Sequence, residues 1–153
     1  MKMPGKSERI VLSSDHAGYE MKETVKKYLI ERGYDVDDVS SEQLDPSDDY
    51  PVYAFKLAKK IANKEFSRGV LLCGSGIGAS IAANRYKGVR AALCTSAELA
   101  RLSRLHNDSN VLVIGGRTTE FAVVKEMIDT WFSQEFEGGR HQRRIDQLDS
   151  FGE

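Results

Sequence analysis

Apolar runs and amphipathic stretches alternate five times along this chain, and no other feature constrains its fold as strongly. RIVLSS (9–14), YDVDDVS (34–40), the run 69–73, GVRAALCT (88–95) and NVLVIGG (110–116) read as strands. The intervening segments carry apolar residues at three- and four-residue spacing and read as helices. In YEMKETVKKYLIERG (19–33) the stripe is Met21, Val25, Tyr28 and Leu29, with Gly33 as the stop. In YPVYAFKLAKKIANKE (50–65), Pro51 fits the first turn and Ala54, Leu57, Ala58 and Ile61 form the buried face. A helix over about 77–86 and SAELARLSRLHN (96–107) follow; Ser96 caps the latter, and Leu99, Leu102 and Leu105 are expected to face inward. TTEFAVVKEMIDTWFSQEF (118–136) is a long helix opened by a threonine cap, and QRRIDQLDSF forms a short last helix. The alternation predicts an α/β fold: a five-stranded parallel sheet with helices on both faces, a three-layer α/β/α sandwich.

At 153 residues the chain is long enough for one core without staples, so residues 1–153 are read as a single domain. The 22 basic residues are offset by 23 acidic ones, which excludes bulk attraction to nucleic acid. No apolar run approaches the ~20 residues that span a membrane. MKMPGKSER lacks the apolar centre of a secretory signal, so residues 1–8 read as a flexible lead. Cys73 and Cys94 have no CxxC partner and no metal-ligand spacing to histidine, which points to free thiols in a reducing, cytoplasmic setting.

In sheets of this kind ligands bind beyond the carboxyl ends of the strands. Those ends carry Ser14-Asp15-His16, Cys73 to Gly78, Cys94-Thr95 and Gly115-Gly116-Arg117. The stretch VLLCGSGIGASIAANR (70–85) is the richest of them, and three familiar readings of its glycines fail. No Gly-Lys-Ser/Thr follows, so it is not a P-loop. It spells G-x-G-x-G after the third strand, not the dinucleotide fingerprint after the first. Residue 79 is alanine where a thiol phosphatase loop needs arginine. What remains is a set of backbone N–H groups around Gly74, Gly76, Ile77 and Gly78, near a helix N-terminus, suited to an anion beside Cys73. Cys73 reads two ways: as a small buried residue ending a strand, or as a thiolate favoured by that loop. Cys94, with no such loop, reads as structural. Asp15-His16 is either a helix cap beside a solvated histidine or part of a site. His106 closes a helix, where a cation complements the dipole. Arg140 and Arg144 are spaced to share a helical face within GGRHQRR. Several such clusters at strand ends point to a small phosphorylated ligand.

SSDHAGYEMK, DYPVYA, LLCGSGIGASIAANR, GVRAALC, SRLHNDSNVLVIGGR and EGGRHQRRI together resemble the ribose-5-phosphate isomerase B family, in order and spacing, from about residue 9 to 147. That family includes allose 6-phosphate and galactose 6-phosphate isomerases. The resemblance implies a Rossmann-like sandwich that binds no dinucleotide. It implies reversible isomerisation of ribose 5-phosphate to ribulose 5-phosphate through a cis-enediolate, with no metal and no other cofactor. It also implies a homodimer or tetramer with shared active sites, the tail 137–153 packing on the partner subunit. By the same resemblance Cys73 is the base, since the glutamate used by another branch is replaced by Ala79. Ser75 supplies a hydroxyl to the thiol, and the loop N–H groups of Gly74, Gly76, Ile77 and Gly78, with Asn107, hold the enediolate. His106 protonates the ring oxygen, Asp15 lies near the sugar hydroxyls, and His16, Arg117, Arg140 and Arg144 take the phosphate. A hexose 6-phosphate isomerase and a noncatalytic sugar-phosphate sensor are the alternatives; an intact set of Cys73, His106 and arginines argues against the sensor, because binding alone needs no base.

Overall fold

In the computed structural model, which describes residues 8–152, the chain runs β1 (Arg9–Ser14), α1 (Tyr19–Glu31), β2 (Asp35–Asp38), α2 (Tyr50–Ala62), β3 (Arg68–Cys73), α3 (Ile77–Ala83), β4 (Ala91–Leu93), α4 (Ala97–Asn107), β5 (Val111–Gly115), α5 (Phe121–Ser133) and α6 (Arg140–Asp149). The five strands form one parallel sheet in the order β2-β1-β3-β5-β4. Strands covered on both faces must be apolar along their buried length, and β3 after Arg68 and all of β5 are. On one face Ile10, Leu12, Val70, Leu72, Leu112 and Ile114 pack against α1, α4 and α5, around the fully buried Trp131. On the other, Val11, Leu71, Cys73, Val111 and Val113 meet the small residues of α2 and α3. The three-layer α/β/α sandwich is therefore as the alternation requires.

Differences from the sequence reading lie at element edges. In α4 the buried residues are Ala100 and Ser103, while Leu99 is exposed. The helix lies close against α5, and a polar chain explains the choice: Ser103 Oγ and Ser109 Oγ lie 2.9 Å apart, and Trp131 Nε1 donates to Ser109 Oγ at 2.8 Å. Thr118 does not cap α5, which starts after Glu120; its N–H and hydroxyl both donate to Gly115 O, closing a turn over the sheet end. β4 keeps only three residues, and α6 begins at Arg140, released by two glycines with positive φ at 138 and 139. The lead over 1–8 lies outside the described residues except for Glu8, which forms an ion pair with Arg68. The tail is anchored to its own chain: His141 and Ile145 are buried, and Arg90 Nη1 donates to Asp149.

Candidate active site

β1 hands the chain to α1 on one face, and β3 hands it to α3 on the other. The crevice that opens between diverging connections at the carboxyl edge is the usual ligand site of an open α/β sheet. Three loops meet there. Gly116 N–H donates to Cys73 O at 2.7 Å and Arg117 N–H to Gly74 O at 2.9 Å, tying the β5 loop to the β3 loop. α1 is seated directly on the end of β3: a Cβ at Gly18 would stand 2.8 Å from the Leu72 carbonyl carbon and 2.9 Å from Cys73 N.

Cys73 is buried, and Gly76 N–H donates to its Sγ at 3.0 Å. A donor aimed at sulfur stabilises negative charge there. Gly76 reaches this geometry at φ +82°, where a Cβ would also lie 2.5 Å from Leu93 Cδ1. Gly76→Ala is therefore expected to lose about 2 kcal/mol or more of stability, from left-handed backbone and overpacking together; unfolding midpoints in urea check this. Ser75 Oγ accepts the Ile77 N–H at 3.2 Å, and among the described residues no hydrogen bond joins it to the thiol. With the Gly76 and Ile77 donors so used, the N–H groups of Gly78 and Ala79 are the ones at the start of α3 with no acceptor among the described residues. The Tyr50 ring closes the loop from outside, 2.6 Å from where a Cβ on Gly78 would stand. Cys94 is also buried, and burial pushes its thiol up to about 11, so it stays protonated.

Asp15 Oδ1 accepts Gly18 N–H at 3.0 Å, closing the turn that leads into α1 at the rim of the crevice; the N-cap itself is Gly18, with no side-chain cap bond. His16 lines a cleft of about 240 Å³ with Arg117, Ala17, Leu44 and Pro46. Its Nδ1 lies 2.7 Å from Asp48 Oδ1, and the same oxygen accepts its backbone N–H at 3.0 Å. That hydrogen bond, first among the causes, raises the His16 pKa above 6.5; the charges of Asp48 and Asp15 act in the same sense, while burial and Arg117 oppose them. Ligand-type atoms of Asp15, His16 and Asp48 lie within 4.8 Å of one another, but the bonds just described already engage them. Asp48 and Tyr50 are residues that sequence reasoning missed.

The remaining expected residues stand elsewhere. Gly69 pairs with Val111 and Cys73 with Gly115, so the two edges of the sheet are about 13 Å apart at ~3.3 Å per residue. α4 ends at Asn107, just before β5 begins, so His106 and Asn107 lie at the amino edge, opposite Cys73. His106 stacks on His141 of α6 with ring centroids 4.4 Å apart, and its Nε2 is 4.0 Å from a Glu137 carboxylate oxygen. The ligand-type atoms of these three residues also lie within 4.8 Å of one another, with the imidazoles face to face. Burial, then the charges of His106 and Arg140, push the His141 pKa down. Arg140 and Arg144 are exposed on the same helix. Among the described residues no hydrogen bond, ion pair or ring contact joins this group to the Cys73 crevice.

The ribose/galactose isomerase family model matches residues 10–148. The chain belongs to that family. It is 40% identical over 141 residues to ribose-5-phosphate isomerase B of Escherichia coli strain K12, covering 92% of this chain and 94% of that one. Among solved structures it resembles a ribose 5-phosphate isomerase of Thermotoga maritima, at 47% identity and TM-score 0.89, covering 93% and 97% of the two chains. It also resembles ribose-5-phosphate isomerase B of Mycoplasma genitalium with bound ribulose-5-phosphate, at 38% identity and TM-score 0.90, covering 95% and 97%. Among the described residues, no helix is long and apolar enough to cross a membrane.

Proposed function

We propose that this member of the family interconverts ribose 5-phosphate and ribulose 5-phosphate, with Cys73 as the base. The observation that carries the reading is Cys73 itself, buried at the end of the central strand with a backbone donor on its sulfur. The thiolate removes the proton from C2 of the open-chain aldose, and electrons shift to the C1 oxygen, giving a cis-enediolate. The C2 hydroxyl proton then passes to the C1 oxygen. Returning the thiol's proton to C1 as the C2 oxygen's electrons form the carbonyl gives the ketose and regenerates the thiolate, so no net redox change or cofactor is needed. The free N–H groups of Gly78 and Ala79 are suited to the enediolate oxygen. Preorganised donors of this kind contribute about 2.7–4 kcal/mol each in comparable sites. His16 and Arg117 hold the phosphate, whose anchoring fixes the reacting carbons against the sulfur.

The site is completed by a second copy of the chain. α3 begins beside Cys73 and ends at Ala83, and the side chain of its C-cap, Asn84, bonds both backbone groups of Ala91 at the amino edge. Its outer face exposes Ile77 and Ile81, flanked by Val52 and Phe55 of α2. These side chains are about half exposed, so covering the remainder is worth roughly 1 kcal/mol each. An antiparallel α3 pair across a two-fold axis covers them and brings the partner's amino edge over this Cys73. Asn84 and Asn107 line one cavity of about 580 Å³ at that edge. His106, Asn107, Arg140 and Arg144 thus serve the neighbouring crevice, where His106 protonates the ring oxygen as the furanose opens. The cytoplasm is the compartment that suits a pair of free thiols.

A coupled assay of the purified protein should give higher kcat/KM for ribose 5-phosphate than for allose 6-phosphate, unchanged by EDTA. Faster turnover of allose 6-phosphate would make the hexose phosphate the substrate. Binding of both without turnover would make the protein a sensor.

A further inference from the structure

The loop between β2 and α2, SSEQLDPSDD, carries acidic residues whose role no motif explains. One of them, Asp48, has its side chain only 7% exposed, against 30% for the His16 side chain it holds. A single oxygen, Oδ1, takes both the backbone N–H of His16 at 3.0 Å and the ring Nδ1 at 2.7 Å. An ionised carboxylate can only accept hydrogen bonds, so Nδ1 must carry a proton. The consequence falls on the other ring nitrogen. With Nδ1–H committed to Asp48, the neutral ring presents a bare lone pair at Nε2, which repels an anion. Nε2 becomes a donor only when the ring takes a second proton and a positive charge.

We propose that Asp48 is a positioning residue for the reaction: it fixes the Nδ1–H tautomer of His16, so that His16 offers a hydrogen bond to the substrate phosphate only as the imidazolium. This rests on the reading of His16 as a phosphate ligand. Substrate capture is thereby gated by one protonation, and the carboxylate that fixes the tautomer also favours the charged ring. The groups facing His16 from the surrounding elements are Asp15 beside it, Glu20 on α1, Asp45 and Asp48 on the β2–α2 loop, and Arg117 after β5. Asp45 is engaged by Ser47 and is not bonded to the ring. Asp48 therefore provides the side-chain bond, and its removal lets the midpoint fall toward 6.5. Sugar phosphates take their second negative charge near pH 6, so Asp48 widens the range in which a cationic ring meets a dianionic phosphate.

Two measurements test this. The chain has three histidines, so the imidazole signals can be assigned by substitution and titrated in the free protein by NMR. In the wild type, nitrogen shifts on the alkaline side should show His16 protonated at Nδ1 and bare at Nε2, and in Asp48→Asn the midpoint should fall. Kinetically, Asp48→Asn should leave KM for ribose 5-phosphate within about twofold at about pH 6 and raise it about fivefold or more at about pH 8. Asp45→Asn, which removes a neighbouring charge but no bond to the ring, should leave KM within about twofold at both pH values. An Nε2–H tautomer in the wild type, an unmoved midpoint in Asp48→Asn, or an equal rise in KM at both pH values would each overturn the proposal, the last because a purely structural loss acts at every pH. A midpoint that falls while KM responds at neither pH would keep the Asp48–His16 link, remove His16 from the phosphate, and so overturn the gating.

Discussion

Cys73→Ala should lower kcat by about 10²–10⁴-fold, the usual worth of a positioned base, while ribose 5-phosphate still binds. The two effects separate because the residues proposed for the phosphate, His16, Arg117, Arg140 and Arg144, lie on other segments, after β1, after β5 and on α6. The fold should survive the change: Sγ accepts one backbone N–H and is otherwise packed against α2 and α3, so its loss costs little beyond a small cavity. Calorimetric binding of ribose 5-phosphate to the variant checks the first half, and the coupled assay the second. Retention of more than about a tenth of wild-type kcat would remove Cys73 from the role of base.

Arg144→Ala should raise KM strongly and lower kcat as well, since anchoring the phosphate also orients the reacting carbons. Its more informative use is in mixtures. If α6 serves the partner's crevice, a dimer of one Cys73→Ala and one Arg144→Ala protomer has one site with both defects and one with neither. Random exchange of equal amounts should then raise the activity of two impaired proteins to about a quarter of the wild-type value. His106→Ala, which lies in the same half-site, should complement Cys73→Ala but not Arg144→Ala. No recovery with subunit exchange verified would mean that each chain completes its own site.

The sandwich was legible because strands buried on both faces cannot hide their pattern, as in VLLC and VLVIG. The inward face of α4 was not legible. Its leucines outweigh Ala100 and Ser103 in any apolar count, and only the bonds among Ser103, Ser109 and Trp131 decide the orientation. Asp15, His16, Cys73 and Arg117 all occupy strand ends, so their convergence followed from the parallel sheet alone. The separation of His106 and Asn107 from Cys73 was in principle also readable, because a helix that precedes a parallel strand must end at the amino edge. Asp48 was beyond reach: Asp45, Asp48 and Asp49 are equivalent in sequence, and only the path of the loop selects the one that meets His16.

The central claim is that Cys73 moves the proton, and isotope exchange in heavy water isolates that step. Ribulose 5-phosphate is open-chain, so exchange of its C1 proton needs the enediolate and no ring chemistry. The wild type and His106→Ala should both incorporate deuterium at C1, whereas Cys73→Ala should incorporate none above background. Undiminished exchange in Cys73→Ala, or loss in His106→Ala as complete as in Cys73→Ala with both proteins folded, would contradict the assignment.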